Sequence, residues 1–212
     1  MGLWCSAISR YKRKRKNNMR KIIVSEWVTL DGVFDADSMD QWFNPYHSDE
    51  RAAYITETIH GSEALLLGEV TYEMLASYWP HQKNDAMGPA SKLNSMPKYV
   101  VSQTLKKAQW NNSNIIKDAK RVVEEITKLK QQPGGDILIP GSATLVQSLM
   151  ETDLIDEYRF LVHPIVMGSG KPFFKDGMPT TRLKLVKTKT LGLGVILLCY
   201  QPAESPQRTL RR

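Results

Sequence analysis

The chain has 212 residues, of which 42% are hydrophobic and 24% charged, an ordinary composition for a packed domain. Its 13 Gly and 11 Pro exclude a collagenous or wholly disordered chain, and the longest apolar run, 195–200, is too short to cross a bilayer. The net charge of +7 is concentrated at the ends, since residues 1–18 carry +6 and 203–212 carry +2, which leaves −1 for 19–202. We therefore expect no nucleic-acid binding through the folded body.

The two ends differ from the rest of the chain. Residues 1–18 have neither helical nor strand periodicity, and we expect a basic, disordered or spurious extension before Met19. Two other interpretations stay open. The N-terminus fits acylation and membrane anchoring, because Gly2, Cys5 and Ser6 precede a Lys/Arg run. The run itself also fits a nuclear localisation signal or a nucleic-acid-binding segment. We expect membrane contact only if the N-terminus is acylated. Residues 203–212 are predicted to form a flexible basic tail.

Between the ends, strands first alternate with helices and then follow one another. The predicted strands are 19–29, 64–68, 98–102, 137–139, 157–162, 183–190 and 195–201. The predicted helices are 48–60, 71–78, 119–131 and a helix that follows Gly141-Ser142 to about residue 152. Short apolar runs such as 64–68 are typical of strands buried on both faces. The alternation of apolar and polar residues in 183–188 instead predicts an antiparallel strand with one solvent-exposed face. The order predicts a single α/β domain, 19–202, with a mostly parallel sheet that ends in antiparallel strands.

Two junctions between a strand and a helix are the strongest candidates for a binding site. One is Gly68-Glu69-Val70-Thr71, and the other is Gly141-Ser142-Ala143-Thr144-Leu145. Small residues at a helix N-terminus let phosphate oxygens reach backbone N–H groups, so the pair suggests a dinucleotide pyrophosphate held between them. Each junction alone is also ordinary turn and cap chemistry. The Gly-x-Gly-x-x-Gly fingerprint and the Gly-Lys-Ser/Thr phosphate loop are absent from the sequence.

Other polar and aromatic residues are weaker candidates. Asp31, in the turn after the first strand, is the carboxylate best placed to orient or protonate a substrate, and an Asx-turn role is equally plausible. Trp42 and Tyr46 are candidates for a substrate pocket, although most aromatic residues belong to a core. The four histidines are scattered without metal-ligand spacing, so we predict no metal site. Two cysteines and the lack of a secretory signal predict a cytoplasmic protein.

Six motifs occur together in the order of a known family. They are Leu30-Asp-Gly, Leu67-Gly-x-Val-Thr-Tyr-Glu, Lys98-Tyr-Val-Val-Ser, Gly141-Ser-Ala-Thr-Leu, Leu154-Ile-Asp-Glu and His163-Pro-x-Val-x-Gly-Ser-Gly-Lys-x-x-Phe. Over 19–202 the chain resembles the reductase domain of bifunctional riboflavin-biosynthesis enzymes and its stand-alone relatives in the dihydrofolate reductase-like superfamily. The resemblance implies a three-layer α/β/α fold, a homodimer, and NADPH-linked hydride transfer to a small heterocyclic or carbonyl-bearing substrate, as in 5-amino-6-(5-phosphoribosylamino)uracil reductase.

The resemblance also implies roles for particular residues. It places the pyrophosphate at Thr71 and at 141–145, and Ser102 and Gln103 beside the adenosine ribose. The family usually has Arg where this chain has Glu69, and often Arg in place of Gln103. Because arginine is suited to a 2′-phosphate and a carboxylate to a free 2′-hydroxyl, these departures leave both NADPH and NADH as candidate cofactors. A non-catalytic nucleotide- or ligand-binding module on the same fold is the alternative function.

Overall fold

The computed structural model describes residues 19–82, 88–118 and 121–203, which form an eight-stranded sheet and six α-helices. The strands are β1 (Ile22–Thr29), β2 (Ser62–Gly68), β3 (Lys98–Val101), β4 (Ser113–Ile116), β5 (Asp136–Pro140), β6 (Glu157–His163), β7 (Leu183–Thr190) and β8 (Ile196–Pro202). The helices are α1 (Met39–Trp42), α2 (Asp49–His60), α3 (Glu69–Tyr78), α4 (Pro89–Ser95), α5 (Val122–Gln131) and α6 (Ala143–Met150). The predicted extension 1–18 and most of the predicted tail lie outside the described residues.

The strand order across the sheet is β4-β3-β2-β5-β1-β6-β8-β7. The six strands from β4 to β6 are parallel to their neighbours, and β8 pairs antiparallel with both β6 and β7. The antiparallel pairs both involve β8, near the C-terminus, whereas β3 and β4 are parallel although no helix lies between them. This arrangement confirms the predicted mostly parallel sheet with antiparallel C-terminal strands.

Helices cover both faces of the sheet and produce three layers. On one face, residues of α2, α3 and α4 pack against Leu65 and Leu67, and on the other, residues of α5 and α6 pack against Leu66. All three leucines of β2 are fully buried, as expected for a strand covered on both faces. No helix in the described part of the chain is long and apolar enough to span a membrane.

Three elements were not predicted, and one prediction about exposure is wrong. The short helices α1 and α4 and the four-residue strand β4 have no strong periodicity of their own and depend on their neighbours for packing. The prediction that 183–188 has only one solvent-exposed face is wrong because nearly all of β7 is exposed, with Leu185 and Val186 each more than 40% accessible. β7 is the last strand of the sheet and is paired on one side only.

Candidate functional site

The cleft that holds the candidate site lies where the chain leaves two neighbouring strands in opposite directions. From β2 the chain passes through α3 on one face of the sheet to β3. From β5 it passes through α6 on the other face and returns beyond β1 as β6. In parallel α/β sheets such a switch point leaves a crevice at the carboxyl ends of the strands. A cleft of about 590 Å³ occupies this position and is lined by residues of both junctions.

The hydroxyl of Ser142 joins the two junctions directly. Its Oγ accepts a 2.8 Å hydrogen bond from the backbone N–H of Gly68 and a 3.1 Å bond from the hydroxyl of Thr71. Ser142 and Gly141 have φ angles of 82° and 90°, and this left-handed turn aims the serine across the cleft. A Cβ at Gly68 would lie 2.3 Å from Ser142 Oγ, so the close approach of the strands requires glycine there. The structure therefore brings together the two segments in which the sequence predicted a shared site.

The N-termini of α3 and α6 are both open towards the cleft. In the described structure no side chain caps either helix, and the lining includes the first turns of both, at 69–71 and 143–145. The first N–H groups of a helix have no partner within the helix, and its dipole favours negative charge. The two helix ends thus offer two sets of N–H donors to a bridging anion such as a pyrophosphate, and the missing Cβ atoms at Gly68 and Gly141 leave the backbone accessible.

Glu69, in the first turn of α3, is fixed to the loop that follows β3. Its carboxylate accepts hydrogen bonds from Ser102 Oγ (2.6 Å) and Thr104 Oγ1 (2.5 Å). These hydroxyl donors lower the pKa of Glu69, which keeps the carboxylate negative at neutral pH. Glu69 and Ser102, which the resemblance associates with the adenosine ribose, are thus in contact, although Ser102 is buried and is not part of the cleft lining. Gln103, between Ser102 and Thr104, is exposed and is not part of the cleft lining.

A second carboxyl group lines the cleft from β1. Glu26 is fully buried, and neither of its carboxyl oxygens has a hydrogen-bond partner of regular geometry among the described residues. Burial raises the pKa of Glu26 well above its usual range, and the nearby backbone N–H of Gly141 only partly opposes this shift. Of the carboxyl groups that line the cleft, Glu69 thus has a lowered pKa and Glu26 a raised one.

Aromatic and apolar side chains form much of the remaining lining. They include Trp27, Phe34, Met39, Trp42, Leu75 and Val101. Trp42 is almost completely buried and is held by a 3.0 Å hydrogen bond from its Nε1 to the backbone oxygen of Asp35. Polar side chains on this side include Asp35, Asp37 and Lys171. Such a lining favours a flat organic ligand over a highly charged one.

The comparisons with known proteins agree with this architecture. The sequence matches the family model of the RibD C-terminal domain over residues 20–197. This chain belongs to that family. It is 32% identical over 188 residues to the uncharacterized protein YyaP of Bacillus subtilis, which covers 87% of this chain and 97% of YyaP.

Two solved structures are similar in fold to this RibD C-terminal domain. One is a putative riboflavin biosynthesis protein from Shewanella sp. PV-4, with a TM-score of 0.65 and 21% identity over 86% of this chain and 99% of the other. The second is the Enterococcus faecalis dihydrofolate reductase complexed with NADP(H), with a TM-score of 0.59 and 14% identity over 88% and 99% of the two chains. These similarities confirm the predicted dihydrofolate reductase-like fold.

Within this RibD C-terminal domain, Asp31 does not lie where the sequence suggested. It is not part of the cleft lining. Its carboxylate accepts hydrogen bonds from Thr29 Oγ1 (2.5 Å) and from the backbone N–H groups of Met167 (3.1 Å) and Gly168 (2.8 Å). These donors lower the pKa of Asp31, so the group is an ionised acceptor at neutral pH. The predicted substrate role is corrected to the alternative one, that of a turn residue, which here also fastens a distant loop.

Of the two aromatic candidates, one lies in the cleft and the other does not. Trp42 lines the cleft and stays a substrate candidate, whereas Tyr46 does not line it and instead donates a 3.3 Å hydrogen bond to the backbone oxygen of Pro164. The ring of Tyr46 packs edge-on against the buried His163. Tyr46 is therefore corrected from a substrate candidate to part of the packing around His163.

Sequence reasoning missed Glu26, although a signal was present. Glu26 is in phase with Ile22, Val24 and Val28 along β1, so strand alternation predicts that it faces the same side as three core residues. A charged residue at a core-facing position is unusual enough to mark a functional candidate. Phe34 and Lys171 were also missed, and they carry no comparable signal.

Proposed function

We propose that this protein is an oxidoreductase that reduces a small organic substrate with a nicotinamide dinucleotide. The observation that carries the proposal is the convergence of two uncapped helix N-termini, joined through Ser142, on one cleft at the switch point of the sheet. Membership of a reductase-like family and similarity to a dihydrofolate reductase complexed with NADP(H) support the same function.

The residues present suit such a cofactor. The N–H groups at 69–71 and 143–145 would hold the pyrophosphate, and the apolar lining formed by Trp27, Trp42 and Met39 would accept the flat rings of nicotinamide and substrate. When bound, the reduced nicotinamide supplies a hydride equivalent to the substrate. The chain itself positions the reactants, excludes water with its aromatic side chains and provides a proton.

Glu69 bears on the choice between the two dinucleotides. Its ionised carboxylate, fixed to Ser102 and Thr104, occupies a position where the family usually has arginine. A carboxylate repels a 2′-phosphate and accepts a hydrogen bond from a free ribose hydroxyl. The proposed cofactor preference is therefore NADH, or little discrimination between NADH and NADPH.

A two-stage experiment tests the function. Because Trp27 and Trp42 line the cleft, tryptophan fluorescence is titrated with NADH and with NADPH. Oxidation of the bound dinucleotide is then followed with a panel of pteridines, aminopyrimidines and small carbonyl compounds. Saturable binding with turnover of a panel member supports the proposal. Binding without turnover of any member favours the non-catalytic module, and the absence of binding overturns both.

A further inference from the structure

The position of Glu26 follows from the unequal lengths of two paired strands. The last pair between β1 and β5 is Ser25 with Pro140, yet β1 continues to Thr29 alongside β6. Glu26 is thus the first residue of β1 that has no β5 neighbour, because the chain of β5 turns away at Gly141. The gap left by β5 is part of the cleft, and Glu26 lines it.

The surroundings of Glu26 provide no counter-charge. Both carboxyl oxygens lack a regular hydrogen-bond partner in the described structure, and Glu26 is fully buried. The other ionisable side chains of the cleft, Asp35, Asp37, Glu69 and Lys171, are all at least partly exposed. A buried carboxyl group without a cationic partner keeps its proton, and this one borders the cleft.

We propose that Glu26 is the proton donor of the reduction, acting on the heteroatom of a polarised C=N or C=O bond in a flat, uncharged heterocycle. This inference rests on the proposed function. The substrate carbon receives the hydride, the π pair of the double bond moves to the heteroatom, and Glu26 gives that heteroatom its proton. The carboxylate left behind regains a proton from solvent after product leaves, so protons and electrons balance.

The structure supports this role over a purely structural one. A buried polar group that stabilises a fold is normally satisfied by hydrogen bonds, as Lys130 is by Asp156 and by the backbone oxygen of Leu154. Glu26 has no ionic partner and no hydrogen bond of regular geometry in the described structure, and it borders a cleft. Unsatisfied, desolvated acids in clefts are typical of general acids in catalysis.

The test compares Glu26→Gln with Glu63→Gln, a matched change at an exposed carboxylate that accepts a hydrogen bond from the N–H of Gly135. With whichever panel compound the wild type reduces, we expect Glu26→Gln to lower kcat about 100-fold or more, the usual range for loss of a general acid. The Kd for the reduced dinucleotide should stay within about twofold, since binding at the helix ends does not use Glu26. Glu63→Gln should leave both constants unchanged.

Two measurements do not depend on how well the variant folds. Wild-type kcat should decrease with rising pH, with a midpoint above the usual range for a carboxyl group. Infrared difference spectra of the wild type at neutral pH should contain the C=O band of a protonated carboxylic acid, which is retained in Glu63→Gln. A pH-independent kcat, or the absence of this band, overturns the assignment.

The outcomes also separate the two proposals. If the wild type binds a dinucleotide and reduces a panel compound, while Glu26→Gln retains the wild-type kcat, the role of Glu26 is refuted and the proposed function stands. If the wild type binds no dinucleotide, the proposed function fails and the role of Glu26 fails with it.

Discussion

The hydroxyl of Ser142 lies 2.8 Å from the backbone nitrogen of Gly68, although 74 residues separate them in the chain. This hydrogen bond fixes the spacing of two helix N-termini that belong to opposite faces of the sheet. This approach requires a residue without a Cβ at position 68, because an added Cβ would lie 2.3 Å from Ser142 Oγ. It also requires a short side chain with a hydroxyl group at position 142. The geometry of the proposed pyrophosphate site therefore depends on these two residues as a pair.

The first prediction tests this pair. Gly68→Ala places a Cβ 2.3 Å from Ser142 Oγ, and we expect the overpacking to cost about 1–3 kcal/mol of unfolding free energy and to weaken dinucleotide binding. Ser142→Gly removes that oxygen and suits the φ of 82° at this position. Gly68→Ala/Ser142→Gly should therefore be more stable and bind more tightly than Gly68→Ala alone. Equal losses in the single and double variants, measured by denaturant unfolding and fluorescence titration, would contradict the pairing.

A second prediction concerns Gly141. Gly141→Val introduces a side chain at a φ of 90°, with its Cβ 3.2 Å from Thr71 Cγ2 and beside the first turn of α6. We expect dinucleotide affinity to fall at least about tenfold. Gly177→Val is the control, because Gly177 has a φ of 80° with no atom within 4 Å of an added Cβ, so it carries similar backbone strain away from the cleft. If both variants bind the dinucleotide equally well, the turn at 141–145 does not hold it.

Much of this site follows from the sequence by simple rules. Two strand–Gly–helix junctions in one parallel sheet predict two helix N-termini at the same edge, because all parallel strands end on that edge. The order of strands and helices, with strands alone at the end, also predicts the sheet's change from parallel to antiparallel. Local pattern and chain order are enough for these features.

Other features depend on contacts that no local pattern encodes. The partners of Asp31 at Met167 and Gly168 lie 136 and 137 residues away, so the sequence alone left its two possible roles equally open. The position of Glu26 beside the cleft depends on where β5 ends relative to β1. The exposure of β7 depends on its place at the edge of the sheet, which alternation within the strand does not reveal.

A third prediction follows from the corrected role of Asp31. Asp31→Asn should weaken the bonds to Met167 and Gly168 and lower Tm by a few degrees, because the loop that follows β6 loses its anchor. Dinucleotide affinity should change by less than about twofold, since Asp31 is outside the cleft. A loss of turnover in Asp31→Asn, with Tm unchanged, would restore the catalytic role that the structure does not support.

The fourth prediction is a pH dependence of stability due to His163. This histidine is fully buried, with Nδ1 3.2 Å from the backbone oxygen of Val28 and Nε2 3.2 Å from Arg51 Nη1. The arrangement assigns the proton to Nδ1, and burial, with the positive charge of Arg51 added, lowers the pKa of His163 to about 4. The ring is therefore neutral in the folded protein at physiological pH.

The pKa of His163 is lower in the folded protein than in the unfolded chain. The contribution of the neutral ring to the unfolding free energy is therefore complete above about pH 6.5 and is lost as the pH falls towards 4. The full loss is about 3 kcal/mol of unfolding free energy, at about 1.4 kcal/mol per pH unit. The unfolding free energy, measured by denaturant unfolding between pH 7 and pH 4, should change less with pH in His163→Gln than in the wild type. His60→Gln, at an exposed histidine, should leave this pH dependence unchanged. An identical pH dependence for the wild type and His163→Gln would show that folding does not lower the pKa of His163.

The last prediction concerns the choice of dinucleotide. Glu69 is ionised and fixed by Ser102 and Thr104, so a 2′-phosphate placed beside it meets a negative charge. Replacing Glu69 and Gln103 with Arg substitutes charge-assisted hydrogen bonds for this repulsion, and we expect the ratio of NADPH to NADH affinity to rise at least about tenfold.

Glu69→Gln alone should give a smaller rise, because it removes the repulsion without adding a phosphate ligand. Glu73→Arg makes the same charge change as Glu69→Arg, at an exposed position one turn further along α3, and should leave the ratio unchanged. A wild type that already prefers NADPH strongly, with no further change in the double variant, would place the 2′-position away from Glu69.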